Sequence, residues 1–190
     1  MPEYQEPCFD FDKFVGFAAK TSGKIFTVGG WDVDEMVCFT SPPMAVGQVH
    51  HLRCQVLSLK ENRWLFLGVT QAATPRVNAE MDPTSFGWCT LSQYVSGKQD
   101  SKASTSQGWT GWMSGDKLLF KVDLESKFLH VSCDRFPMLS CPSSANHLHR
   151  FVFMLAVGMT LGQASSSCQV HDKTDLNVIY AKQASSTLLN

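Results

Sequence analysis

The chain has 190 residues, 44% of them apolar and 17% charged, with 16 basic against 17 acidic side chains and a formal net charge of -1. That balance excludes wholesale disorder, and without a long run of one sign there is no electrostatic footprint for nucleic acid or anionic lipid, so neither is an expected partner. The acidic start, with Glu3, Glu6, Asp10 and Asp12, is the reverse of a signal peptide, and the longest mostly apolar stretch, residues 151–161, falls short of the roughly 20 residues a membrane helix needs.

In chain order, residues 16–24 look superficially like a phosphate loop, but six residues separate Gly16 from Gly23 and Ile25 stands where Ser or Thr is required. They read as a turn before a strand. Trp31 follows beside Asp32, Asp34 and Glu35, an acidic connection suited to a cation or a basic peptide, although such a cluster is more often a solvated turn. Leu52, Cys54 and Val56 alternate with His51, Arg53 and Gln55, the two-residue period of a strand with one face inward. His50 and His51 then point to opposite faces and do not share a metal ion.

Two runs, RWLFLGVT (Arg63–Thr70) and RFVFMLAV (residues 150–157), are apolar on both faces and are expected in the centre of a sandwich. Residues 96–108 (SGKQDSKASTSQG) are the most polar stretch and read as a loop. Leu118, Phe120, Val122 and Leu124 alternate again, residues 125–127 form a hairpin turn, and Leu129 and Val131 resume the pattern. Residues 134–148, with Pro137 and Pro142, show no usable period and read as irregular. No helical stripe carries a cap and a stop, so little helix is expected. One domain over residues 1–182, with a tail at 183–190, accounts for the length.

Four stretches together resemble the SPRY superfamily, and within it are somewhat nearer to the neuralized homology repeat. They are residues 36–56 (MVCFTSPPMAVGQVHHLRCQV), RWLFLGVT, residues 115–131 (GDKLLFKVDLESKFLHV) and residues 153–170 (FMLAVGMTLGQASSSCQV). The chain departs from the family after Val131, where Ser132, Cys133 and Asp134 replace the usual Asn-Gly turn, and its N-terminal third matches poorly. The resemblance implies an all-β fold: a bent antiparallel two-sheet β-sandwich, a jelly roll like the concanavalin lectins, with loops at one end that bind a peptide or protein. In many relatives the module selects substrates for a ubiquitin ligase, the chemistry of ligation lying in another module or partner.

No catalytic constellation, cofactor motif or familiar metal spacing appears. Cys133, Cys141, His147 and His149 come at intervals of seven, five and one intervening residues, unlike a zinc finger. No Gly-x-Ser-x-Gly elbow occurs. The domain therefore reads as non-catalytic, with no cofactor and no metal. Seven scattered cysteines and no glycosylation signal suit a reducing compartment, and a cytoplasmic location is expected. The candidate partner-binding residues are Trp31, Arg76, Tyr94, Trp109, Trp112, Arg135 and Phe136, chosen because large aromatic and Arg side chains in connections dominate binding hot spots. Packing within the chain is the competing reading for each ring. A carbohydrate-binding, lectin-like domain is the alternative function.

Overall fold

The computed structural model describes residues 10–15, 19–22, 25–28, 35–41, 43–44, 47–59, 63–74, 76–90, 92–100, 108–142, 152–159 and 176–181. Two antiparallel sheets of seven strands face each other. Edge to edge, sheet A takes β1 (Asp10–Val15), β4 (Glu35–Ser41), β13 (Val152–Met159), β6 (Arg63–Thr70), β7 (Phe86–Cys89), β8 (Ser92–Val95) and β9 (Lys98–Asp100). Sheet B takes β12 (Phe136–Pro142), β11 (Phe128–Cys133), β10 (Lys117–Asp123), β5 (Val49–Leu59), β14 (Leu176–Ala181), β3 (Ile25–Val28) and β2 (Ala19–Ser22). The one helical turn among the described residues is a 3-10 turn, η1 (Ala79–Met81).

The alternating strands of sheet B bury the expected side chains. Leu52, Cys54 and Val56 of β5, Leu118, Phe120 and Val122 of β10, and Leu129 and Val131 of β11 are at most 5% exposed. They meet Leu65, Leu67, Val69, Phe86 and Trp88 from sheet A in the main core. The hairpin joins Asp123 to Phe128, and the Asp123 carboxylate accepts the Ser126 N–H at 3.0 Å, so the turn lies where the sequence places it.

RWLFLGVT behaves as a two-sided strand. Leu65, Leu67 and Val69 point into the main core, while Phe66 belongs to a second cluster with Val37, Phe39, Ala79 and Val152 on the outer side of sheet A. Trp64, Ala72, Cys89 and Tyr94 pack against that cluster at partial exposure. β13 runs between β4 and β6, and Val152 is buried. The side chains of residues 153–157, on which the rest of the RFVFMLAV expectation rests, lie outside the described residues, as does the tail at 183–190.

Two stretches expected to be irregular contain strands. Within residues 96–108, Lys98–Asp100 pairs with β8 through a two-residue turn in which Ser96 (φ 53°) and Gly97 (φ 69°) are both left-handed. That primed turn matches the twist of the flanking strands and overrides their polar composition. Within residues 134–148, β12 pairs with β11, and its Pro137 and Pro142 are compatible with pairing because β12 is an edge strand. The edge is tied to sheet A, since Gln93 Nε2 donates to the Ser140 carbonyl at 2.9 Å and the Cys141 thiol to the Tyr94 carbonyl at 3.4 Å.

Candidate functional site

Strand register divides the connections between two ends. Residues 71–85, the 96–97 turn and the 124–127 hairpin lie at one end, because Val69 pairs with Phe86, Val95 with Lys98 and Asp123 with Phe128. Residues 108–116 and the 134–135 turn lie at the other, beside Lys117 and Cys133. The expected binding residues are split accordingly. Trp109, Trp112, Arg135 and Phe136 come together, whereas Arg76 and Tyr94 belong to the opposite end. Trp31 lies outside the described residues.

At the gathered end, three rings form an aromatic floor. Trp109 meets Trp112 edge to face at 4.4 Å between centroids and Phe136 at 5.3 Å, and Trp112 reaches Phe120 of the core at 6.2 Å. These separations lie at or near the attractive range for ring pairs. Both indole N–H groups find backbone acceptors, Trp109 at the Cys89 carbonyl (3.1 Å) and Trp112 at the Trp88 carbonyl (3.2 Å). Of the two readings of these rings, binding anchor or packing within the chain, their burial fits the second: Trp109 is 8%, Trp112 4% and Phe136 5% exposed. They pack the end of the sandwich. Gly111 explains the Gly-Trp-Thr-Gly-Trp spacing, because its φ is +86° and a Cβ there would run into the Thr90 carbonyl oxygen.

Arg135 lies over this floor, its guanidinium carbon 5.8 Å from the Phe136 ring centre. It forms a bidentate pair with Asp116, Nε to Oδ1 and Nη2 to Oδ2, both at 2.6 Å, and Nη2 also donates to the Gly111 carbonyl at 2.7 Å. Nη1 donates to Thr110 Oγ1 at 3.0 Å. The Asp116 hydrogen bond holds the guanidinium pKa above its ordinary value against the opposing effect of burial. Asp116, with a side chain only 3% exposed, accepts the Met113 N–H at 2.7 Å as well. Arg135 thus spends its donors inside the chain, clipping the β11–β12 turn to residues 110–116. The side chains that face solvent here are Thr110, Met113 at 54% exposure, Ser114, Asp134 and, at 29%, the outer part of Arg135. Sequence reading missed Met113 and Asp116; the Gly-Asp pair before β10 was the available signal.

At the opposite end Arg76 pairs with Asp82 but stays 60% exposed. Tyr94 is half-buried edge-on to Phe66 at 5.7 Å, and burial, followed by Cys89 and Glu80, pushes its phenol up to about 12. The four zinc candidates do not assemble from what is described. Cys141 pairs with Leu129 and Cys133 with Phe136, which sets the two cysteines about 14 Å apart along β11 at strand rise. His147 and His149 lie outside the described residues. Among the described residues no group of three or more His, Cys, Asp or Glu side chains is placed to hold a metal, and no helix is long and apolar enough to cross a membrane.

Searched by sequence, the chain matches no family model and no curated protein. Solved structures are more informative. The SPRY domain of human HERC1 aligns with 91% of this chain and 96% of its own at a TM-score of 0.66 and 10% identity. This chain has a SPRY-like fold. The TRIM65 PSpry domain agrees, at a TM-score of 0.54 and 14% identity over 86% of this chain and 85% of its own. The carbohydrate recognition domain of Emp46p, in its metal-free form, has the same sandwich, with a TM-score of 0.53 and 10% identity over 90% and 86% of the two chains. The SPRY-like architecture is thus shared with lectin-type jelly rolls.

Proposed function

We propose that this SPRY-like domain is a non-catalytic protein-interaction module that docks a peptide or protein on the end formed by residues 108–116 and 134–135. The observation that carries the reading is Met113: an exposed, adaptable apolar side chain on a connection whose backbone is pinned by Asp116, Arg135 and the aromatic floor. A loop held in place before binding loses less entropy on association. The finer part of the proposal is substrate recognition for a ubiquitin ligase in the cytosol, as the family resemblance implies. Cys54, Cys133 and Cys141, free thiols among the described residues, suit that compartment.

Affinity capture from cytosol, comparing wild type with Met113→Asp and Thr110→Asp, tests the assignment once a specific partner has been identified. Partner affinity is expected to fall about tenfold or more, the loss of roughly 1.4 kcal/mol typical of a contributing interface side chain, with the melting temperature unchanged. Undiminished binding by both variants would remove this end from the interface. A carbohydrate-binding role has the shared fold of the Emp46p domain in its favour, but the indoles of Trp109 and Trp112 that would stack on sugar are buried. Glycan-array binding by the wild type, lost in Met113→Asp, would favour it.

A further inference from the structure

Among the described residues, the outward face of sheet B, away from the main core, carries the largest grouping of exposed apolar side chains. Of the seven large exposed hydrophobics among the described residues, four stand on it: Leu57 of β5, Leu119 of β10, Phe128 of β11 and Met138 of β12, between 37% and 62% exposed. Strand register sets their neighbours. Leu119 lies between Arg53 and Ser132, Lys121 between His51 and His130, and Phe128 between Asp123 and Pro142. Along β10 the outward row reads Lys117, Leu119, Lys121, Asp123.

The charge of this face is predominantly positive. Arg53, Lys117 and Lys121 are cationic, and Asp123 is the one carboxylate among the described outward residues of β5, β10, β11 and β12. Asp123 also accepts the Ser126 N–H. The adjoining turn adds one charge of each sign, Glu125 and Lys127. Burial and then Lys121 hold the His130 imidazole pKa below its ordinary value, against the opposing effect of Asp123, and its Nδ1 lies 2.8 Å from Ser140 Oγ. Phe128 stacks on the His130 ring, with centroids 5.7 Å apart at 15°, which broadens the flat surface beside Lys121.

We propose that this face is a second docking surface, distinct from the loop end, that receives an extended acidic segment of a partner protein with the spacing acid-x-apolar-x-acid. Side chains two apart on a strand are separated by about 6.8 Å, and the same holds for an extended ligand. A segment laid along β10 therefore sets its apolar residue on Leu119 and its two acids on Lys117 and Lys121. Leu57, Phe128 and Met138 flank that line. Two other occupants fit less well. A second copy using the same face would set cation against cation, and three cations fall short of the clusters of about four to eight that read as lipid-binding.

The test is an array of ten-residue peptides containing Glu-x-Leu-x-Glu, with matched peptides carrying Lys or Ser in place of Glu. The domain is compared with its Arg53→Glu/Lys121→Glu variant, whose folding is checked by melting temperature. Wild type is expected to bind the acidic set, more weakly as salt rises, and the variant to lose at least tenfold in affinity while gaining the Lys set. A Leu119→Ser variant, which keeps the charges, should weaken the acidic set too. Equal binding of the acidic set by wild type and the charge-reversed variant, or no binding by wild type, would overturn the proposal. So would selective binding to phosphatidylserine vesicles over phosphatidylcholine vesicles, or self-association in sedimentation that the charge reversal abolishes.

Discussion

Phe66 and Phe128 both point away from the core between the sheets, yet they meet opposite surroundings. The Phe66 ring lies over Gly68 and Gly87, where a Cβ would come within 2.7 and 2.9 Å of its Cζ, and Val37, Phe39, Ala79 and Val152 belong to the same buried cluster. Phe66 is 0% exposed. Phe128 has the His130 ring and Pro142 beside it and is 40% exposed. The difference lies in what folds over each sheet. The connection at residues 71–85 contributes Ala72 and Ala79 to the cluster outside sheet A, whereas Leu119, Phe128 and Met138 remain open on sheet B. A sheet face with a group of exposed apolar side chains is a place to look for a partner.

The largest effect should come from breaking the sealed side. Phe66→Ala removes a fully buried ring and is expected to cost about 3 to 5 kcal/mol in a chemical-denaturation series. A cost under about 1 kcal/mol would mean that the second cluster contributes little to the fold. An intermediate effect is expected at the cover itself. Asp82 receives the Thr84 N–H at 2.9 Å and the Thr84 hydroxyl at 2.7 Å, and that hydroxyl lies 3.2 Å from Thr70 Oγ1 on β6. Asp82→Ala should cost about 1 kcal/mol.

The same group predicts a pH dependence. Burial raises the Asp82 pKa, but its hydrogen bonds from Thr84 and its pairing with Arg76 outweigh burial and leave it lowered. A lowered carboxyl pKa stabilises the fold above the unfolded value, near 3.9, and that contribution disappears as pH falls through the folded value. Wild type should therefore lose stability below about pH 4 more steeply than Asp82→Asn in thermal melts taken across that range. Equal slopes would place the acid sensitivity elsewhere. The smallest effect belongs to the open side. Phe128→Ala should change stability by no more than about 0.5 kcal/mol, and a loss comparable to that of Phe66→Ala would show that the face of sheet B is not open.

Much of the fold was legible wherever pattern and burial share a short period. The alternation in β5, β10 and β11 named the inward side chains, and the two-sided run of β6 indicated that both faces of its sheet would be covered. Failures came where local composition and pairing disagreed. Polar Lys98–Asp100 and the proline-bearing Phe136–Pro142 became strands because a primed turn and an edge position respectively made pairing possible. The candidate site was less legible. Four of its named residues do gather at one end, but as an aromatic floor and a clip.

The sequence by itself determined which side chains of a strand share a face, because successive Cβ atoms alternate whatever lies beyond them. It also determined where Gly111 permits a left-handed backbone between two tryptophans. Only the tertiary structure decided which way those rings turn. Trp109 and Trp112 are held by carbonyls 20 and 24 residues away, and Arg135 by a carboxylate 19 residues away. Such partners are brought near by strand register across two sheets, and no local period encodes them. The contrast between a sealed Phe66 and an open Phe128 has the same origin: each points outward by alternation, and distant chain segments decide whether outward means buried or free.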